Sequence, residues 1–360
     1  MALFFSWNHT SVRNNDDIIK TRTHNEEVTD MCKCISKTVL LLAICLAAGL
    51  CNPLPGTVMR TYASGAVKES SAKVPVEEML DALDNDTYRT VYKALKAGEV
   101  IKNGSRGNVA KGVQQTLIAL GQDIAADGAV GPKTLGALNA VQKAFGLKKT
   151  DTLDADGYAK LLPGLLIMED EDAAYDLLSG PMGGEYDYLR GGALVLQKKF
   201  YSAKKAFSSS KHGDWESRAK NCVQSWPKTG QLYSNPAVKG SNTELCIKFN
   251  TDSKTAMLVK IYTAKGTLAR TLFIGGSGQA TASLPAGTYI IKDGIGKNWY
   301  GEKESFGQRP EGQYETMTFD NGQQEIGLRK NYRSTITINV KEADPDAKGV
   351  GTEYEDWENF

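Results

Sequence analysis

Histidine is the scarcest of the chemically useful residues in this chain: three occur in 360. His9 and His24 fall in the N-terminal segment, which leaves His212 alone in the string "SKHGDW". Zinc hydrolase sites commonly draw two or three ligands from histidine, so a His-rich metal centre is excluded. No metal and no cofactor are expected. Cysteine is nearly as thin. Of six, Cys32, Cys34 and Cys45 also belong to the N-terminal segment, leaving Cys222, Cys246 and, where it is retained, Cys51. One disulfide and buried free thiols both fit that remainder, and neither cysteine lies in a His-containing nucleophile motif. Surplus charge is missing too. The 43 Lys and Arg residues against 42 Asp and Glu give a formal net charge of +1, whereas phosphate-backbone binding needs concentrated positive charge, so nucleic acid is not an expected partner. No uninterrupted apolar run approaches the roughly 20 residues that a membrane-crossing helix requires.

The apolar stretch that is present, "TVLLLAICLAAGLC" from Thr38 to Cys51, follows Lys33 and Lys37 and precedes "NPLPG". A basic flank with a short apolar core has the proportions of an export signal. Those proportions hold from Met31, which reads as the start of translation and leaves residues 1–30 outside the product. Cys51 also admits a lipid anchor, although Leu50 stands where a bacterial lipobox places a small residue. Cleavage, lipidation and an uncleaved anchor stay open, and membrane attachment is confined to this segment. Export places the rest of the chain in the cell wall or outside the cell.

Residues 1–55 are therefore an N-terminal extension with the signal or anchor segment, and 56–76, rich in Ser, Gly, Ala, Lys and Pro, form a linker. A helical domain is expected over 77–166. Met79, Leu80, Leu83, Tyr88, Val91, Tyr92 and Leu95 recur near the helical period, predicting one helix from Glu77 to Ala97. Val109, Val113, Leu117 and Leu120 stripe a helix that ends at Gly121. Leu135, Leu138, Val141 and Phe145 stripe another that starts on Pro132 and stops at Gly146. Tyr158, Leu161, Leu162 and Leu165 supply a third segment, so three short helices close over one core. Residues 167–235 continue as a helical connector. Within it, Gly192, Ala193, Tyr201, Ala203 and Phe207 have spacings that resemble one helix-turn-helix unit of the tetratricopeptide type. Seven short β-branched and aromatic runs between Gly, Asn, Asp and Pro clusters predict a β-sandwich over 236–341. The acidic stretch 342–360 reads as a disordered tail. The fold class is multidomain α plus β.

One segment carries a specific pattern, running from about Gly104 to Leu166. Gly107, Val109, Val113-Gln114, Leu120-Gly121, Asp127-Gly128, Val130-Gly131, Thr134, Val141-Gln142 and Gly146-Leu147 stand in order. In that order and spacing the segment resembles the three-helix peptidoglycan-binding domain of bacterial wall enzymes. Val130 and Val141 depart from the family's preferred Phe, and Tyr158 from its common Thr. The resemblance implies peptidoglycan as the ligand. The residues supply a physical reason: Asp127-Gly128 suits a tight turn, and Gly131-Pro132 launches a helix whose free N–H groups lie beside Lys133 and Thr134. Such a helix start suits a carboxylate, which peptide stems provide. Asp127, Gly128, Gly131, Lys133, Thr134 and Gln142 are the candidate ligand residues. A purely conformational role for Asp127, Gly128 and Gly131 fits the same pattern, and Gln142 fits equally as an exposed helix residue.

Catalytic machinery is sparse, and the reading leans away from an enzyme without closing the question. Ser-x-x-Lys occurs at Ser202–Lys205 and Lys-Thr-Gly at Lys228–Gly230, but the span between them is far too short for a penicillin-recognising fold. In "DGIGKNWYGEKESFG", Glu302 and Glu304 offer an acid and base pair. Trp299, Tyr300 and Phe306 offer, with Glu302, either a second recognition loop or a seal on the sandwich. "LPAGTY" is similar to a turn of prealbumin-like and carboxypeptidase-regulatory-like sandwiches, which are generally non-catalytic. The expectation is an exported wall protein that binds peptidoglycan and presents a sandwich to a cell-surface protein or glycan. The alternatives are a peptidoglycan hydrolase or transferase with its site in the sandwich, and an adhesin or assembly factor whose sandwich and connector bind protein.

Overall fold

The computed structural model describes residues 3–10, 74–251, 254–319 and 322–342. The export segment, Cys51, almost all of linker 56–76 and the acidic tail beyond 342 lie outside the described residues. Leu3–Thr10, assigned above to the N-terminal extension, is placed as strand β1, a position that the export reading does not anticipate.

The chain from 76 to 97 is two helices where the apolar stripe predicts one, α1 (Val76–Leu83) and α2 (Asp86–Lys96). Asp84 turns left-handed at φ 43°, and the Asn85 side chain accepts from Thr87 N–H at 2.9 Å. A local cap thus interrupts a continuous stripe. α3 (Asn108–Ala119) buries Val113 and Leu117, and α4 (Pro132–Ala144) buries Leu138 and Val141, as the periodicity predicts. Gly146 ends α4 at φ 70°, where an added Cβ would meet the Tyr188 hydroxyl at 2.6 Å. Two short pairings brace these helices. β2 (Ile101–Lys102) pairs with β3 (Thr152–Leu153), and Gly104–Gly107 hydrogen-bonds to Gly128–Val130. The third segment is α5 (Ala155–Ala159), N-capped by Asp154, followed by α6 (Leu162–Glu169). Tyr158 is fully buried there, its hydroxyl 2.9 Å from Thr116 Oγ1.

α7 (Glu171–Met182), α8 (Gly184–Leu196), α9 (Phe200–Ser210) and α10 (Trp215–Asn221) complete the helical part. Small residues let α8 pack closely on two neighbours. A Cβ at Gly191 would lie 2.7 Å from the Phe207 ring, and one at Gly192 would lie 2.3 Å from the Ala144 carbonyl oxygen. One apolar core joins Leu80, Leu117, Leu138 and Leu165 with Leu178, Leu189 and Ala193. The division expected at 166/167 falls inside that core, because α6 packs on α3 as well as on α7 and α8, and α8 packs on α4.

Strands follow as β4 (Gly230–Ser234), β5 (Thr243–Thr251), β6 (Ala256–Thr263), β7 (Leu268–Gly275) and β8 (Gly278–Leu284), then β9 (Gly287–Gly296), β10 (Gly312–Thr316), β11 (Glu325–Leu328) and β12 (Arg333–Glu342). All seven predicted runs become strands, and the one that contains "LPAGTY" divides into β8 and β9 at Pro285-Ala286. β4 lies before the expected boundary at 236 because it pairs antiparallel with β7. One sheet runs β1-β12-β5-β8, with β12 parallel to β5. The other runs β10-β9-β6-β7-β4, with β11 also on β9. Alternate residues, Tyr289, Ile291 and Ile295 of β9 and Ile336, Ile338 and Val340 of β12, meet in one core shared by both sheets. Cys222 and Cys246 are separately buried free thiols.

Candidate functional site

The turn ahead of α4 is organised by a residue outside the candidate set. Gln114, buried on α3, donates from Nε2 to Asp127 Oδ1 at 2.8 Å, Ala129 O at 3.1 Å and Thr134 Oγ1 at 3.2 Å. Its Oε1 accepts from Gly128 N–H at 2.7 Å. Asp127 Oδ1 accepts from Ala129 N–H at 2.9 Å as well, and this bond, then the one from Gln114, holds the exposed carboxyl below its ordinary value. Gly128 takes φ 74°, a conformation that the turn requires and glycine supplies.

Two candidates face inward, which corrects their assignment to the ligand side. Thr134 is buried against Gln114. Gln142 is buried on α4 and clamps the following loop, donating to Thr150 Oγ1 at 2.8 Å and accepting from Thr150 N–H at 3.0 Å. Gln114 and Gln142 therefore do the same work on successive helices, and the repeated Val-Gln pair is the sequence signal that marks them. Asp127 and Lys133 stay exposed, and α4 opens at Gly131 with no side-chain cap. What the turn offers a ligand is one carboxylate, one ammonium and the N–H groups of an uncapped helix start.

The aromatic loop is a seal. Trp299 and Phe306 pack on Phe273 and Leu258, on the face of the β6–β7 sheet turned away from the shared core. Tyr300 is fully buried; its hydroxyl donates to Glu311 and accepts from Lys204 Nζ at 2.9 Å. Of the proposed second recognition loop, Glu302 alone is exposed, so three buried rings leave it no apolar face to present. Glu304 is buried at the start of α9, accepting from Tyr201 N–H at 2.6 Å, Ser202 N–H at 3.3 Å and the Ser202 hydroxyl. Its carboxylate caps a helix, which removes both the Glu302/Glu304 acid and base pair and the Ser202 nucleophile from consideration.

A further concavity, about 690 Å³, opens where α6 meets α7 and α8. Glu169, Asp170, Glu171, Asp172, Tyr175, Tyr186, Asp187 and Arg190 line it, five acids against one base. Tyr88 donates to Glu169, Asp170 accepts from Ala173 N–H at 2.9 Å as the cap of α7, and Arg190 holds Glu171 at 2.5 Å. Burial raises the Asp187 carboxyl and pushes the Tyr186 hydroxyl up to about 12, the latter with help from Glu171. The acid run from Glu169 to Asp172 is visible in the sequence, but the Tyr186 and Asp187 wall needs the α7–α8 packing.

No family model matches this chain, and no curated protein matches it.

Proposed function

We propose that this chain is an exported bacterial cell-wall protein that binds peptidoglycan non-covalently. The binding module is a three-helix unit at 104–166, followed by a helical connector and a β-sandwich that presents a surface to a cell-surface protein or glycan. The observation that carries the reading is the turn of Asp127 to Thr134. It is braced internally by Gln114, leaving Lys133 and the uncapped start of α4 open to solvent. A peptide-stem carboxylate is complementary to that end. Individual contacts of this kind are weak, and a polymer that repeats its epitope converts them into retention through effective concentration.

Co-sedimentation of the full chain with insoluble peptidoglycan tests the reading. Wild type sediments, and Lys133→Glu stays in solution with an unchanged melting temperature. Failure of folded wild type to sediment overturns the proposal. Release of soluble muropeptides by the folded wild type would replace it with the hydrolase alternative.

A further inference from the structure

We propose that the acidic cleft between α6, α7 and α8 is a second binding site, and that it takes an organic ligand through a primary ammonium group. Acids alone would say little, since three of them are already engaged: Glu169 by Tyr88, Asp170 by the α7 backbone, Glu171 by Arg190. Asp187 differs. It is half-buried and makes no hydrogen bond or ion pair among the described residues. Beside it Tyr186 is 3% exposed, and its hydroxyl has no partner. That hydroxyl lies in the field of Glu171, Asp187 and Tyr175, with the Arg190 guanidinium acting in the opposite sense on it and on Asp187, all of them cleft residues. A buried hydroxyl left without a partner is unfavourable, and a ligand donor that reaches this wall of the cleft would supply one for Tyr186 as well as a counter-charge for Asp187.

The chemistry of that donor follows from the surroundings. The carboxylates favour a cation, and the Tyr175 and Tyr186 rings, edge to face at 5.8 Å, add aromatic surface that also favours one. A metal ion is the poorer occupant, because no group of three or more His, Cys, Asp or Glu residues among the described residues converges on one point. An ammonium on a flexible carbon stem matches both the dispersed acids and the volume, which lies in the range of small-molecule and short-peptide sites. Lysine side chains and free diamines share that chemistry. The inference is independent of the peptidoglycan reading, since no residue of the Asp127 turn takes part.

Isothermal titration of the full chain at low salt tests it, with Nα-acetyl-lysine methylamide, cadaverine, Nα-acetyl-norleucine methylamide and Ca²⁺ in separate arms. The ammonium probes bind and the norleucine probe does not. Asp187→Asn weakens the ammonium probes about ten-fold or more, as loss of a charge-assisted contact does. Tyr186→Phe keeps the ring, removes a hydroxyl that the fold leaves unpaired, and weakens them at unchanged or higher melting temperature. Tighter binding of the lysine derivative assigns the site to a peptide side chain, and tighter binding of cadaverine assigns it to a free amine. The proposal is overturned by no binding of either ammonium probe, by equal binding of norleucine, by binding of Ca²⁺ alone, or by unchanged affinity in Asp187→Asn.

Discussion

Glu315 should make this protein less stable as pH rises, and the size of the effect follows from one pair of strands. Glu315 on β10 stands directly opposite Asp293 on β9. Both are buried, and Asp293 Oδ1 and Glu315 Oε1 lack hydrogen-bond partners. Asp293 shares its sheet face with Ile291, Ile295 and, across β6, Val259, all of them in the shared core. Arg309 opposes the effect on Glu315, while Lys260 and Lys292 occupy the opposite face in the strand alternation. Burial, and then the facing Glu315, drives the Asp293 carboxyl well above its usual value. Burial raises Glu315 from 4.5 to about 7. The folded state therefore holds a proton on Glu315 that the unfolded chain releases near pH 4.5. The stability that Glu315 contributes is undiminished below that point, falls as pH rises from there through about 7, and changes no further above it. At 1.36 kcal/mol for each pH unit between the two values, the share of the loss that Glu315 brings between pH 4 and pH 9 is about 3 kcal/mol. Glu315→Gln keeps the shape and cannot ionise. Urea unfolding of both proteins across that range should show a variant whose advantage grows by about 3 kcal/mol, most of it before pH 7. Parallel pH profiles for wild type and Glu315→Gln would refute the argument.

Three other substitutions, with Lys133→Ala as an exposed control, test how the helices are held. Arg218 donates to the Ala144 and Lys143 carbonyls at 2.7 and 2.8 Å and stacks on Tyr188, so it caps the C-terminus of α4 from α10. Arg218→Ala should cost about 1–3 kcal/mol in denaturant unfolding, whereas Lys133→Ala, at an exposed position, should stay within about 0.5 kcal/mol. Glu304→Ala strips the cap from α9 and leaves its first N–H groups buried, for an expected loss of about 2–4 kcal/mol with faster hydrogen exchange at Tyr201 and Ser202. Gly192→Ala must push α8 off the Ala144 carbonyl and should cost about 1–3 kcal/mol. A melting temperature equal to wild type would show that this approach is not a packing constraint.

Much of the architecture was legible because it rests on local period. The α3 and α4 stripes and all seven strand runs are patterns of three, four or two residues, and burial follows them. What was not legible depends on partners distant in sequence. Nothing near "NWYGEKESF" says that Phe273 and Leu258 will present an outward apolar face for Trp299 and Phe306 to cover, so the same aromatics read equally as a recognition loop. Glu304 meets the start of α9 roughly a hundred residues away, and only that meeting tells a helix cap from a general acid. The break between α1 and α2 is the opposite case. Asp84-Asn85 is a local signal, and the apolar stripe running through it outweighs it in a periodicity count.

The candidate turn teaches a narrower point about what a residue pattern transmits. Its most specific members are the paired Val-Gln positions, Asp127-Gly128 and Thr134, and the structure employs nearly all of them on the protein itself. Gln114 ties the turn to α3, Thr134 completes that tie, and Gln142 repeats the device toward Thr150. Buried polar side chains persist where each donor and acceptor is matched, and such a network fixes one backbone path through a segment that has little apolar burial of its own. The pattern therefore specifies the shape of the turn. In the proposed peptidoglycan reading, ligand choice would fall to what the network leaves outside: the Lys133 ammonium, the second oxygen of Asp127 and the N–H groups at the start of α4. Exchanging Lys133 for Glu or Gln in this chain isolates the first of these, because no bond in the Gln114 network passes through it.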